Sequence, residues 1–295
     1  NTLLLGYRFD YDEIHHVVHS PRFAWKFSPN PYHTLRFNFG TGFRVVNLFT
    51  EDHAALTGSR DVVIKTDLKP ERSINGNLNY VWKIPTGDKL INLDASAFYT
   101  YFSNKIVGDF DADPEKIIYD NLHGYGISRG ASLNVDYSFD FPLSLNLGVT
   151  YLDVYQKFDG ETVKSQQLHA PKWSGTYNLS YQFPKKLTVD FTGQIYGPMR
   201  LPVLENDYRP EYSPWYSLAN IQVSKSFESG FEIYAGIKNL LNFTPKDPLM
   251  RPFDPFDKNV DDPINNPNNY TFDTTYGYAP MQRIRGFLGV KYNLK

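Results

Sequence analysis

The sequence contains no cysteine, and no run in it approaches the eighteen apolar residues that a membrane-spanning helix needs. The first absence excludes disulfides and thiolate metal centres and fits an exported protein. An excess of either charge is also lacking: 30 Lys and Arg against 32 Asp and Glu leave a net −2, so nothing suggests a nucleic-acid partner. No signal peptide opens the chain. Asn1 leads straight into a strand pattern, so a processed or truncated N-terminus is expected. With 41% hydrophobic residues and a negative mean hydropathy, the composition suits a soluble protein. It suits a transmembrane β-barrel equally, because there alternate residues face lipid and the rest face a wet lumen.

Aromatic residues break the tie. The 22 Tyr, 22 Phe and 4 Trp make up 16% of the chain, a share that suits girdles at the two membrane interfaces. Their spacing is that of strands. In Arg283 to Lys295 the even positions Ile284, Leu288, Val290, Tyr292 and Leu294 are apolar, and the odd positions carry Arg283, Arg285, Lys291 and Lys295.

The same period of two recurs along the chain in segments of about ten residues, the length of a tilted strand crossing hydrocarbon, and predicts about twelve strands. The first sets Leu3, Leu5, Tyr7, Phe9 and Tyr11 against Arg8 and Asp10. A later one sets Ile74, Leu78, Tyr80 and Trp82 against Asn75, Asn77 and Asn79, a ladder that lipid would not accept. Lys or Arg facing lipid at mid-depth costs about 2 to 4 kcal/mol, and these apolar faces are almost free of charge. A soluble antiparallel sandwich with one solvated face is the alternative.

Short and long links alternate. Tight turns are expected at Ser28 to Pro31, Pro85 to Asp88, Asp140 to Pro142, Pro184 to Lys186 and Glu228 to Gly230. Long polar links are expected at Asp12 to Ser20, Arg44 to Asp67, Asn104 to Tyr125, Phe158 to Ala170, Gly197 to Pro214 and Asn242 to Pro280. Tight periplasmic turns and large extracellular loops produce this asymmetry. The fold class expected is therefore all-β, an antiparallel transmembrane barrel.

Several motifs then resemble the C-terminal half of the β-barrel of a TonB-dependent outer-membrane receptor. Gly40-Thr41-Gly42-Phe43-Arg44 followed by Asp67-Leu68-Lys69-Pro70-Glu71-Arg72-Ser73 is similar to the family's strand-loop-strand pair. Ser20-Pro21-Arg22, Lys238-Asn239-Leu240-Leu241-Asn242 and the closing Gly289-Val290-Lys291-Tyr292-Asn293-Leu294 are similar too, although Leu294-Lys295 replaces the usual terminal aromatic. The resemblance implies a barrel of twenty-two strands with an internal plug. Residues 1–295 are expected to be its C-terminal portion, with no plug domain and no energy-coupling box.

In that family cargo binds between the extracellular loops and the plug apex, so the resemblance directs attention to loop residues. Arg44 and His53 lie in the interval where haem receptors of the family carry a ligating histidine. Arg200, Tyr208 and Arg209 lie in one later loop, with Met250, Arg251 and Phe253 in the last; Arg with aromatics can grip an anionic planar cargo. Loop self-packing and contact with lipopolysaccharide phosphates are the plainer readings of the same residues. No metal site is expected. His15 and His19 would share a strand face with no carboxylate beside them. Asp254, Asp257, Asp261 and Asp262 lack calcium-loop spacing.

The resemblance implies a receptor and transporter that is no enzyme and needs no cofactor. It binds a scarce nutrient complex, an iron-siderophore or haem and otherwise cobalamin, and imports it with TonB-derived energy. The implied partners are the TonB complex acting through the plug, the nutrient complex, outer-membrane lipid and lipopolysaccharide, and a surface lipoprotein should the cargo be a glycan or peptide. A self-contained twelve-strand outer-membrane hydrolase is the contrasting reading. It requires a nucleophile beside a His on the outer wall; the strand pattern shows no His on a lipid face with a polar partner, and His33, His123 and His169 lack an evident triad.

Overall fold

The computed structural model describes residues 1–12, 16–45, 61–65, 68–109, 113, 116–204 and 206–292, and among these the chain is strand, turn and loop with no helix. The strands are β1 (Thr2–Asp12), β2 (His16–Asn30), β3 (His33–Arg44), β4 (Asp61–Ile64), β5 (Glu71–Thr86), β6 (Lys89–Asn104), β7 (Ile106–Asp109) and β8 (Lys116–Asn121). They continue as β9 (Gly124–Ser138), β10 (Leu143–Phe158), β11 (Ser165–Gln166), β12 (Trp173–Phe183), β13 (Leu187–Tyr196), β14 (Tyr216–Ser226), β15 (Phe231–Lys238) and β16 (Arg285–Tyr292). Twelve of them form one antiparallel path, β1-β2-β3-β5-β6-β9-β10-β12-β13-β14-β15-β16, with β11 added beside β10 to make a 13-stranded sheet.

Both faces of this wall are uncovered, which separates it from a sandwich. The outward set remains open at Leu5 (72%), Leu147 (41%) and Leu288 (75%), and the two buried apolar clusters among the described residues lie in the links, not behind the sheet. A greasy face that no protein covers suits lipid. The inward face is a polar mesh. Arg36 donates to Asn79 Oδ1 (2.9 Å), Asn79 Nδ2 donates to Asp94 (2.6 Å) and Ser96 (2.9 Å), and Asn75 donates to Thr100 (2.8 Å). Asn75 and Asn79 of the asparagine ladder are therefore satisfied by their cross-strand neighbours.

Four expectations from the sequence are corrected. Asp12 to Ser20 is not a long link: β1 and β2 stay in register to Asp12 opposite His16, because the period of two persists through Val17, Val18 and His19. The links after β3 and β6 are not free of strand; β4 pairs in parallel with β8, and β8 pairs with β7, over a small core of Ile117 and Tyr119. Strands of four to six residues, with β4 and β8 pairing between two different links, leave no periodic signal in either. The turn expected at Ser28 to Pro31 narrows to Pro31 and Tyr32, with Asn30 Oδ1 accepting from the amides of Tyr32 (2.9 Å) and His33 (3.1 Å).

Finally, two histidines do occupy the outward face with polar partners. Tyr7 Oη lies 2.5 Å from His19 Nδ1, and Tyr80 Oη lies 2.7 Å from His33 Nδ1. Both are tyrosine–imidazole contacts and neither includes a serine.

β5, β6 and β10 reach 16 residues, longer than expected. At about 3.3 Å per residue they run past a hydrocarbon core about 30 Å thick and carry the links well beyond it. The closing strand begins at Arg285, two residues later than the pattern suggested, and residues 293–295 lie outside the described residues.

Candidate functional site

Alternation of turns and links gathers the long links on one rim, and three of them weld into a single block. Its foundation is Asn239, just past the end of β15. Asn239 Nδ2 donates to the carbonyls of Phe243 (2.7 Å) and Gln282 (3.1 Å), and its Oδ1 accepts from the Phe243 amide (3.0 Å). Asn242 Oδ1 accepts from the amide of Ile284 (3.0 Å), so the loop from Asn242 to Pro280 is clamped at both ends. Both asparagines have positive φ, 51° and 53°, a conformation that Asn tolerates better than most residues.

Above the clamp lies an apolar core of Met199, Leu201, Tyr216 and Tyr276. Tyr216 stacks on Phe243 with centroids 4.5 Å apart and planes 7° from parallel. Tyr276 Oη donates to the Pro210 carbonyl (2.9 Å), which ties the last loop to the Gly197 to Pro214 loop. Burial pushes the Tyr276 phenol up to about 12, so it remains a donor throughout the physiological range. His169 joins the third link to both: its amide donates to the Arg200 carbonyl (2.9 Å), and its Nε2 lies 3.0 Å from the Thr275 carbonyl.

Arg209 is built into this block. Its Nε lies 3.0 and 3.1 Å from the two Asp207 carboxylate oxygens and its Nη2 2.8 Å from one of them; Asp273 is 3.5 Å away, and the guanidinium lies 4.2 Å from the Tyr276 ring centroid. All three charged side chains are almost fully buried. Burial opposes the charge on Asp207, but the hydrogen bonds from Arg209 and from the amides of Arg209 and Leu204 outweigh it and hold its pKa below the ordinary value. Arg251 is likewise engaged, with Asp254 (2.7 Å) and the Asn259 carbonyl (3.1 Å), and Met250 is buried. Asp254 is held below the usual carboxylate range, first by Arg251 and also by the amides of Asn259 and Lys258.

Of the residues singled out by sequence, the structure thus places Arg209, Met250 and Arg251 inside the loops, where they shape the surface without forming it. Arg200 is half-enclosed against Glu211 (3.2 Å), and Arg44 pairs with Glu71 (2.9 Å) at the end of β3, away from this block. His53 and His15 lie outside the described residues. Tyr208 (61% exposed) and Phe253 (77%) are presented outward, the first against Tyr270. Asp254 and Asp262 accept backbone amides in turns, Asp257 accepts the amide of Phe272 across the loop, and no cluster of potential metal ligands occurs among the described residues.

What the block offers chemically is a rigid base bearing open aromatic faces beside cations. The Arg251 guanidinium is 5.0 Å from the Phe253 ring centroid, and Lys258 Nζ is 5.8 Å from that of Phe256. The exposed Lys258–Phe256 pair can stack on a planar ligand and attract its negative charge, and Phe253 adds a second open ring whose Arg251 neighbour is buried and paired with Asp254. Tyr212 and Trp215, exposed on the same block, escaped the sequence reading, which took the aromatics near Arg200 only as far as Tyr208. The buried role of Asn239 escaped it as well.

Comparison with known proteins bears on the wall that carries this block. Residues 2–240 match the family described as TonB dependent receptor-like, beta-barrel. An iron-regulated outer membrane virulence protein of Vibrio cholerae is 28% identical over 199 residues, 63% of this chain and 30% of that protein. Among solved structures, the siderophore receptor PirA from Acinetobacter baumannii superposes with a TM-score of 0.67 at 16% identity, over 98% of this chain and 43% of its own. The ferric enterobactin receptor PfeA from Pseudomonas aeruginosa, in complex with enterobactin, gives 0.62 at 17% identity, over 82% of this chain and 38% of its own. The chain therefore spans roughly a third of the length of these relatives.

Proposed function

Since the chain belongs to the TonB dependent receptor-like β-barrel family, outer-membrane transport receptors of Gram-negative bacteria and not enzymes, we propose that it forms part of an importer of a ferric siderophore. The long-loop rim faces the exterior and captures the chelate on the block around Phe253 and Phe256. Energy from the TonB complex, delivered through a plug inside the completed barrel, then releases it inward. In the membrane the outer edges of β1 and β16 must be paired, since each unsatisfied backbone group in hydrocarbon costs several kcal/mol. Further strands supply that closure. Haem and cobalamin are the competing cargoes, and a surface lipoprotein is the partner expected only for a glycan or peptide.

The observation that carries the reading is the rigid loop block that presents the open Phe253 and Phe256 rings and the exposed Lys258 on the family's wall. The iron-regulated relative and the enterobactin complex support an iron chelate over the other cargoes. The test is calorimetry on the intact protein with a ferric catecholate, haem and cobalamin, together with uptake of radioactive iron by cells with and without TonB. Binding of the catecholate and TonB-dependent uptake are expected. Uptake indifferent to TonB, or binding of haem alone that His53→Ala abolishes, would replace this reading.

A further inference from the structure

The outward face of the wall stays apolar along β9 and β10 only as far as an aromatic row. Ala131, Leu133, Leu147 and Val149 lead up to Tyr151, which packs against Trp173 (4.9 Å), and Tyr99 on β6 stands one step further along, opposite Arg129. The register continues without a bulge, so the next residues of the same parity are Arg129 on β9 and Asp153 and Tyr155 on β10. Charge therefore appears on the lipid-facing side immediately beyond the girdle.

Three contacts build these residues into a shallow cationic notch. Arg129 Nη2 lies 2.9 Å from Asp153 Oδ2, yet half of the Arg129 side chain stays exposed. Its Cζ is 5.9 Å from the Tyr155 ring centroid, and Lys164 Nζ is 4.2 Å from the same ring. Lys164 comes from the link after β10. Pairing of Ser165 and Gln166 with Gln156 and Tyr155 folds that link back along the wall, so the ammonium of the exposed Lys164 rests against the ring. Tyr155, only 9% exposed, forms the floor, and two cations against one carboxylate leave the notch positive.

We propose that this notch binds the headgroup phosphate of a phosphorylated glycolipid of the outer leaflet. The guanidinium and the ammonium donate to the phosphate, and the acyl chains descend past Tyr151, Val149 and Leu147. Two observations fix the class of occupant. The notch stands on the lipid side of the wall, where no soluble cargo passes, and its charge complements a phosphate directly above hydrocarbon-facing residues. A cation costs only about 0 to 1 kcal/mol at this depth, so the arrangement is affordable before any lipid arrives. The assignment rests on the long-loop rim facing the exterior, as in the proposed function.

The test uses the intact outer-membrane protein in detergent, with retained lipid weighed by native mass spectrometry and thermal shift recorded on adding bisphosphorylated lipid A, its dephosphorylated form, or phosphatidylglycerol. The wild type is expected to bind the phosphorylated glycolipid at least tenfold more tightly than the dephosphorylated form. Arg129→Ala with Lys164→Ala is expected to remove that preference. Because the comparison of lipids on the wild type needs no variant, poor assembly of the double variant leaves the proposal falsifiable; Lys164→Gln alone supplies a milder form. Equal binding of the two glycolipids overturns the proposal, as does equal binding of phosphatidylglycerol. Val163→Cys, at an open position of the same link and unique in a chain without cysteine, separates this from failure of the underlying orientation. Labelling of that thiol on whole cells by an impermeant reagent places the rim outside, and labelling only after permeabilisation overturns the orientation itself.

Discussion

Asn239 and Gln282 are joined by a 3.1 Å hydrogen bond across 43 residues, from the side-chain Nδ2 of the first to the backbone carbonyl of the second. This contact closes the base of the last rim loop and makes a long segment without regular structure behave as one piece. Its loss leaves the Gln282 carbonyl without this donor.

Asn239→Ala is expected to remove three hydrogen bonds in a buried setting, each unsatisfied group costing about 1 to 3 kcal/mol, while leaving the wall assembled. Hydrogen exchange should show protection lost between Phe243 and Gln282 and retained in β14 and β15. Equal loss in the strands would show that the clamp supports the wall instead.

The buried Asp207–Arg209 pair makes the block sensitive to strong acid only. Asp207 has a folded-state pKa below its ordinary value, so its contribution is complete above the unfolded value, about 3.9, and disappears as pH falls through the lower folded value. Limited proteolysis of the rim loops should therefore be unchanged from neutrality to about pH 5 and rise below about pH 4. Asp207→Asn should raise it already at neutral pH, because the buried Arg209 loses its nearest carboxylate and keeps Asp273 at a longer 3.5 Å.

Phe253→Ala and Phe256→Ala touch open rings, so stability should move by no more than about 0.5 kcal/mol. Affinity for the ferric catecholate, measured by calorimetry, should fall about tenfold for the pair, or about 1.4 kcal/mol. An unchanged affinity would move the capture surface away from this loop.

Leu147→Arg places a cation on the outward face between Val135 and Tyr177. Folding free energy in lipid vesicles should drop by about 2 to 4 kcal/mol, against under about 1 kcal/mol for Ser132→Arg on the inward face. Similar costs for both would contradict the assignment of the two faces.

The wall was legible in the sequence because its signal is local and repeated. A period of two carried by Leu143, Leu145, Leu147, Val149 and Tyr151 can be read without knowing any neighbour, and it extends directly into the observed β10. The tight turn at Pro184 to Lys186 was equally plain, and Trp173–Phe183 and Leu187–Tyr196 flank it where expected. The outward-facing histidines were missed for a related reason: treating Asp12 to Ser20 as a loop removed His19 from its strand.

What the sequence by itself determined is thus the alternation, the sidedness of the links and the family's strand-bound motifs, because each follows from residues adjacent along the chain. Only tertiary structure decided which loop charges are spent internally. Arg209 and Arg251 resemble free cations in a list of residues, and they are neutralised by Asp207, Asp273 and Asp254 once the loops fold. Partnership between loops, as between β4 and β8 or between Asn239 and Gln282, depends on which ends the wall brings together in space. The physical reason is that loop conformation is set by hydrogen bonds and burial between segments far apart in the chain, whereas the pleat of a strand is set by its own backbone.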